Sequence, residues 1–138
     1  MYLLQLRCPS VVFSHETALF LHDLSDQAPL HDSVTAQTGY NPSHLTKDGV
    51  KVYTVKQGLV DLGKTDARTP FGNPICVYDR ERTICDIVRS RSSMESSTLH
   101  DALRRYVQRR DKNLLQLTEY ARLFRVESVL RQYLELLL

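Results

Sequence analysis

No apolar run in these 138 residues approaches the roughly 20 residues that a membrane-crossing helix needs. The opening segment Met1-Tyr2-Leu3-Leu4-Gln5-Leu6-Arg7 has neither a basic start nor a long apolar stretch, so no secretory signal is expected. Cysteine is scarce. Cys8, Cys76 and Cys85 are an odd set that cannot all pair within the chain, and none stands in a C-x-x-C, so reduced thiols in a cytoplasmic protein are the plain expectation. The five glycines are scattered singly, which excludes a glycine-rich loop cradling a phosphate. No Gly-x-Ser-x-Gly elbow is present, and Ser14-His15-Glu16 is a run of neighbours, whereas catalytic triads are assembled in space. The net charge of +2 is too small to imply nucleic acid by itself.

What is present suits an ordinary globular protein. Hydrophobic residues make up 42% and charged residues 25% of the chain, and its length fits one domain with a core of its own, over 1–138. Residues 2–7 suggest a short helix ending before Pro9. Ser14 is a fitting N-cap for a helix over about 15–24, with Glu16 near its positive end; Leu19, Phe20, Leu21 and Leu24 point several ways, as in a buried helix. The middle is strand-rich over 30–78. Ser33-Val34-Thr35-Ala36 and residues 50–55 alternate and are β-branched, and residues 74–78 form a further apolar run. Turn chemistry stands at Gly39-Tyr40-Asn41-Pro42 and Lys47-Asp48-Gly49, and residues 56–73 read as a loop or an irregular strand.

Residues 79–138 read as helical. Leu99, Ala102, Leu103, Tyr106 and Val107 follow helical spacing, and Asn113 caps a helix with Leu114, Leu117, Tyr120, Ala121 and Phe124 inward. A last stripe runs from Val126 to Leu137, and Leu136-Leu137-Leu138 should dock on the body. The expected fold is α+β: a small mixed or antiparallel sheet of three to four strands, a buried N-terminal helix and a C-terminal helical bundle.

Charge is unevenly placed. Residues 80–125 hold 11 Lys and Arg against six Asp and Glu. Arg104, Arg105, Arg109, Arg110, Lys112, Arg122 and Arg125 form the candidate docking face for an acidic partner, protein or nucleic acid. No recognition-helix motif supports nucleic acid there. His15 and His22 are separated by about 10 Å of helix, too far to share an ion, so no metal or cofactor set is expected.

The densest signal is Tyr78-Asp79-Arg80-Glu81-Arg82-Thr83-Ile84-Cys85-Asp86, where a strand delivers the chain to a helix with Asp79 as N-cap. Arg80 and Glu81 are expected to lean toward the body, as members of a polar network pinning the helix. A catalytic alternative uses Asp79 and Glu81 as ligands of a metal-dependent nuclease. Against it, no lysine lies between Asp66 and Lys112.

The run Y-D-x-E-R-T-x-x-D resembles the signature of AbiEi-type abortive-infection antitoxins, the antitoxin half of type IV toxin–antitoxin pairs. Residues 14–26 are similar to that family's S-H-E-T-A-L-x-L-x-x-L-S-D block, and Thr69-Pro70-Phe71-Gly72-Asn73 to its T-P-x-G-N. On the resemblance, Ser14, His15, Glu16, Tyr78, Asp79, Glu81, Arg82, Thr83 and Asp86 mark the family, mostly as fold-defining residues. It implies a non-enzymatic, cytoplasmic, bacterial phage-defence protein that counteracts a nucleotidyltransferase toxin. Members typically carry an N-terminal winged-helix domain that binds operator DNA. About a dozen residues precede S-H-E-T-A-L here, so the expectation is the antitoxin domain alone, without operator binding. The competing expectations are a nucleic-acid-binding transcriptional regulator using the Arg104–Arg125 face and the metal-dependent nuclease.

Overall fold

The computed structural model describes residues 1–138. Five strands form one mixed sheet: β1 (Val12–Phe13), β2 (Ser33–Gln37), β3 (Lys51–Val55), β4 (Lys64–Arg68) and β5 (Pro74–Tyr78), in the order β3-β2-β1-β5-β4. The fold is α+β, with one strand more than the upper expectation. Between and after the strands come α1 (Tyr2–Arg7), α2 (His15–Leu21), α3 (Ser43–Lys47), α4 (Gln57–Val60), α5 (Arg80–Arg89), a 3-10 turn (Arg91–Ser93), α6 (Ser96–Val107), α7 (Leu114–Leu123) and α8 (Glu127–Leu137). No helix is long and apolar enough to cross a membrane.

The shortest strand holds the centre. β1 pairs antiparallel with β2 and parallel with β5, and both its residues are fully buried. β2 and β3 run parallel, joined by a crossover through α3, while β4 and β5 form an antiparallel hairpin. The hairpin turn is Thr69-Pro70-Phe71-Gly72-Asn73. Thr69 N–H donates to the Asn73 carbonyl at 2.9 Å, and Gly72 takes a φ of +86°, a value that glycine reaches without a Cβ clash.

Register sorts the strand residues by face. Phe13 lies opposite Val34 and Val77, and with Ala36 and Ile75 they pack against Cys8, Val11 and Leu45 beneath α1 and α3. The other face carries Val12 opposite Thr35 and Thr35 opposite Tyr53. Alternation of polar and apolar residues ordinarily marks a half-solvated strand. Here Ser33 and Thr35 are as buried as Val34, because α2 packs on β2 and α5 packs against α2. A larger apolar core joins α5 to α8, built on Ile84, Ile87, Leu103, Tyr106, Leu117 and Leu130.

Several local expectations change. The helix after Ser14 stops at Leu21, not 24. Asp23 takes a left-handed φ of 61°, Leu24 N–H reaches back to the Leu19 carbonyl at 2.8 Å, and Asp23 N–H to that of Phe20, the Schellman ending of a helix. Ser14 precedes that helix but its side chain caps nothing. Residues 56–73 contain α4 and β4, whose short, polar sequences show no periodicity, and α3 occupies most of the interval between the two central turns. Leu114 stands exposed at the start of α7. The terminal leucines do not dock: Leu136 is 85% and Leu138 67% exposed, since the α8 stripe that reaches the core ends at Leu134.

Candidate functional site

β5 ends in Tyr78, and the chain turns directly into α5. Asp79 caps it as expected: Oδ1 accepts from Arg82 N–H at 2.7 Å and Oδ2 from the Tyr120 hydroxyl at 3.1 Å. Burial pushes its carboxyl above the usual range, against these bonds. Thr83 Oγ1 donates to the Asp79 carbonyl at 2.8 Å, so the first turn closes twice on itself.

The buried charges of this run are Arg82 and Asp86; Arg80 and Glu81 lie nearer the surface. Arg80 reaches out to Asp111 at 3.4 Å. Glu81 Oε2 accepts from the Tyr106 hydroxyl at 2.5 Å and from Asn113 N–H at 3.2 Å, bracing α5 against α6 and the start of α7. The shift follows from helix geometry. Arg82 and Asp86 are four residues apart on the sheet-facing side, and Arg80 and Glu81 fall beside it.

Arg82 is 0% exposed. Its Nε donates to Asp86 Oδ1 at 3.0 Å, and one terminal nitrogen donates to the Leu59 and Leu62 carbonyls, both at 2.7 Å. The guanidinium lies between two rings, 3.7 Å from the Tyr78 centre and 4.3 Å from that of Phe124. One cation thus ties α5 to the α4–β4 loop and to α7. Gly63, at a φ of +79°, lets that loop approach, since a Cβ there would stand 2.8 Å from Arg82 Cβ.

A second polar cluster lies where α2 and the end of α5 meet the sheet. His15 opens α2 in the left-handed region, at a φ of 51°, which costs a non-glycine residue about 1–2 kcal/mol. Its ring stacks on Tyr53, with centroids 3.5 Å apart and planes 8° from parallel. Burial first, then Arg82, Arg89 and Lys51, lower the imidazole pKa to about 3. In the neutral ring one nitrogen donates and the other accepts. Thr35 donates to Ser14 Oγ at 2.7 Å, Ser14 Oγ lies 2.8 Å from His15 Nδ1, and His15 Nε2 lies 3.1 Å from Ser90 Oγ, so a continuous hydrogen-bonded chain runs from Thr35 to Ser90.

Beside this chain is a cavity of about 230 Å³, with His15, Thr35 and Asp86 at its buried floor and Tyr53, Arg89 and Ser90 at its mouth. Asp86 Oδ2 is buried without a hydrogen-bond partner, and burial raises its carboxyl to about 6 even though Arg82 opposes the shift.

No protein-family model and no curated protein matches this sequence.

The nine motif residues fall into these two clusters, with Glu16 at their edge paired to Lys51 at 3.2 Å. His22, on the first motif block, donates from Nε2 to the Tyr78 carbonyl at 2.7 Å and so joins the first block to the third. Asp79 and Glu81 act as hydrogen-bond acceptors for protein groups, and no three His, Cys, Asp or Glu side chains gather closely enough to hold a metal ion.

Of the seven cations proposed as a docking face, four engage carboxylates of the same chain. Arg104 meets Asp101 at 3.6 Å, Arg105 meets Asp26 at 2.7 Å and Asp101 at 2.9 Å, Arg109 meets Asp111 at 2.8 Å, and Arg122 meets Glu127 at 2.8 Å. Arg105 and Arg109 hold Asp26 and Asp111 below the usual carboxylate range. Lys112 donates to the Arg109 carbonyl at 3.1 Å. Arg110 and Arg125 are exposed and make no ion pair. Arg125 also sits at a φ of 58° in the Schellman ending of α7, where Val126 N–H returns to the Ala121 carbonyl at 2.9 Å.

Sequence reasoning missed Thr35, Tyr53, Arg89 and Ser90. Each lies on an element far in sequence from His15, and no spacing rule links them. The one available signal was the alternation of Ser33-Val34-Thr35-Ala36, which marks Thr35 as lying on the polar face.

Proposed function

We propose that this chain is the antitoxin domain of a bacterial type IV toxin–antitoxin pair, a phage-defence protein that counteracts a nucleotidyltransferase toxin in the cytoplasm without a reaction of its own. Support comes from the three motif blocks, which are structurally continuous. Thr69–Asn73 turns the chain into β5, β5 ends in Tyr78, and the His22 bond to Tyr78 fastens the first block to the third.

The observation that carries a docking role is Arg125. A left-handed helix ending favours glycine, yet an exposed arginine without an ion pair occupies it. With Arg110 it forms the part of the basic helices still free to meet an acidic toxin surface. The test is co-expression with a candidate nucleotidyltransferase toxin from the neighbouring reading frame. Growth should be restored, and continued arrest refutes the proposal. Arg125→Gly should raise stability by about 0.5–1 kcal/mol, because glycine takes this backbone conformation without a Cβ clash. The same variant should rescue growth less well, and full rescue would remove Arg125 from the docking surface.

A further inference from the structure

The cavity between His15, Tyr53 and the end of α5 has no part in the antitoxin reading, yet it is built like a binding site. Its parts come from α2, β2, β3 and α5, so it exists only in the folded chain. Its floor is rigid: His15 is stacked on Tyr53 and hydrogen-bonded at both ring nitrogens, and Asp86 is held by Arg82.

The polar atoms left over define what fits. Asp86 Oδ2 is an acceptor with no donor, in a residue only 2% exposed. A buried polar group in that condition costs about 1–3 kcal/mol until something bonds to it. Ser90 Oγ shares one hydrogen bond with His15 Nε2, and in the Nε2–H tautomer its own proton is free to donate at the mouth. Arg89 is exposed, lies 5.8 Å from the Phe124 ring centre and engages no carboxylate. The site therefore asks for a neutral donor inside and an anion outside.

Charge excludes the reverse arrangement. Asp86 is already balanced by Arg82 and Lys51 by Glu16, which leaves Arg89 as the unbalanced charge lining the cavity. An ammonium group would enter against that field, whereas a hydroxyl would not. The volume of about 230 Å³ lies below the roughly 300–1,000 Å³ of pockets for drug-sized ligands, which points to a ligand of sugar size.

We propose that this cavity binds a small phosphorylated sugar, with a sugar hydroxyl donating to Asp86 Oδ2 on the floor and the phosphate held by Arg89 and the Ser90 hydroxyl at the mouth. Phosphate suits the pairing because guanidinium binds it through two parallel hydrogen bonds. Neither Arg110 nor Arg125 lines this cavity, and the ligand titration below needs no toxin, so its failure and that of the antitoxin reading are distinguishable.

Isothermal titration calorimetry of the whole chain with ribose 5-phosphate, ribose and inorganic phosphate separates the contributions. Ribose 5-phosphate should bind at least about tenfold more tightly than either part alone, since each additional 1.4 kcal/mol of contact is tenfold in affinity. Arg89→Met should reduce ribose 5-phosphate to the level of ribose, and Ser90→Ala should weaken it several-fold. Arg89 is exposed and Ser90 half-buried, and unchanged melting of each variant checks that the fold is intact. Absence of binding by ribose 5-phosphate, equal binding by inorganic phosphate, or an Arg89→Met variant that binds like the parent would each overturn the proposal.

Discussion

Around Arg82 an arginine and an aspartate lie entirely inside the protein. Along α6 and α7 the same residue types meet at the surface. The distances do not separate the two regions: Arg82 stands 3.0 Å from Asp86, and Arg105 stands 2.7 Å from Asp26. What separates them is water. In the interior the loss of hydration must be offset by the protein, and Arg82 finds Asp86, two carbonyls and two ring faces, with only its second terminal nitrogen left without a hydrogen-bond partner. At the surface the ions keep their hydration, and the pair adds little. A count of ion pairs would rank α6 and α7 first, yet the fold depends on the single buried one.

Arg82→Met tests the comparison most severely. It leaves Asp86 buried without a counter-ion and two carbonyls without donors, and should cost about 3–5 kcal/mol in denaturant unfolding. A loss under about 1 kcal/mol would make the interior pair equivalent to the surface ones.

Acid probes the same region with a known sign. The folded His15 imidazole has a pKa of about 3, so between there and about 6.5 the unfolded chain takes a proton that the folded chain refuses. Its contribution to stability is therefore lost as pH falls, by about 2 kcal/mol from pH 7 to 5. Asp86 acts oppositely. Its folded carboxyl titrates at about 6, above the unfolded value, so the folded chain gains about 1 kcal/mol over the same range. Asp86 thus offsets about half of the His15 loss, and the two together should cost the parent about 1 kcal/mol. In His15→Asn the His15 loss disappears, while His22, which burial also holds below its ordinary value, still contributes one, so that variant should lose less stability than the parent between pH 7 and 5 in urea titrations. An unchanged pH slope would show that His15 is not the neutral, buried group described.

A smaller effect is expected between the extremes. Glu81→Ala removes the acceptor for Tyr106 and Asn113 at a partly exposed site and should cost about 1.5 kcal/mol. Loss of growth rescue with unchanged melting would instead place Glu81 on the toxin-binding surface. Smallest of all, Arg105→Ala should change stability by no more than about 0.5 kcal/mol despite its two-pronged contact with Asp26, and added salt should shrink even that.

The long periodic elements were legible in the sequence. Leu99, Ala102, Leu103, Tyr106 and Val107 are all buried as their spacing requires, and Asp79 and Asn113 cap α5 and α7 through their side chains. Short elements were not legible. α4 has four residues and β4 is almost wholly exposed, so neither leaves a hydrophobic pattern. Of the candidate sites, the junction at Tyr78–Asp86 was visible as a motif, while its inward charges were assigned to Arg80 and Glu81. Part of one turn of helix separates that choice from Arg82 and Asp86, and only the direction of the sheet decides between them.

By itself the sequence determined the strand-to-helix junction, the caps, and the amphipathic faces of α5 to α8, because these depend on neighbours within a turn or two. Tertiary structure alone decided that the polar side of β2 would be covered. Alternation in Ser33-Val34-Thr35-Ala36 carries no information on what lies over Thr35, since hydroxyls accept either water or protein partners. Once α2 closes over that face with α5 beside it, the Thr35 hydroxyl is linked through Ser14 and His15 to Ser90, and an unpartnered carboxylate oxygen is left beside a cavity. Those groups come from residues 14 to 90, and packing is the only force that brings them together.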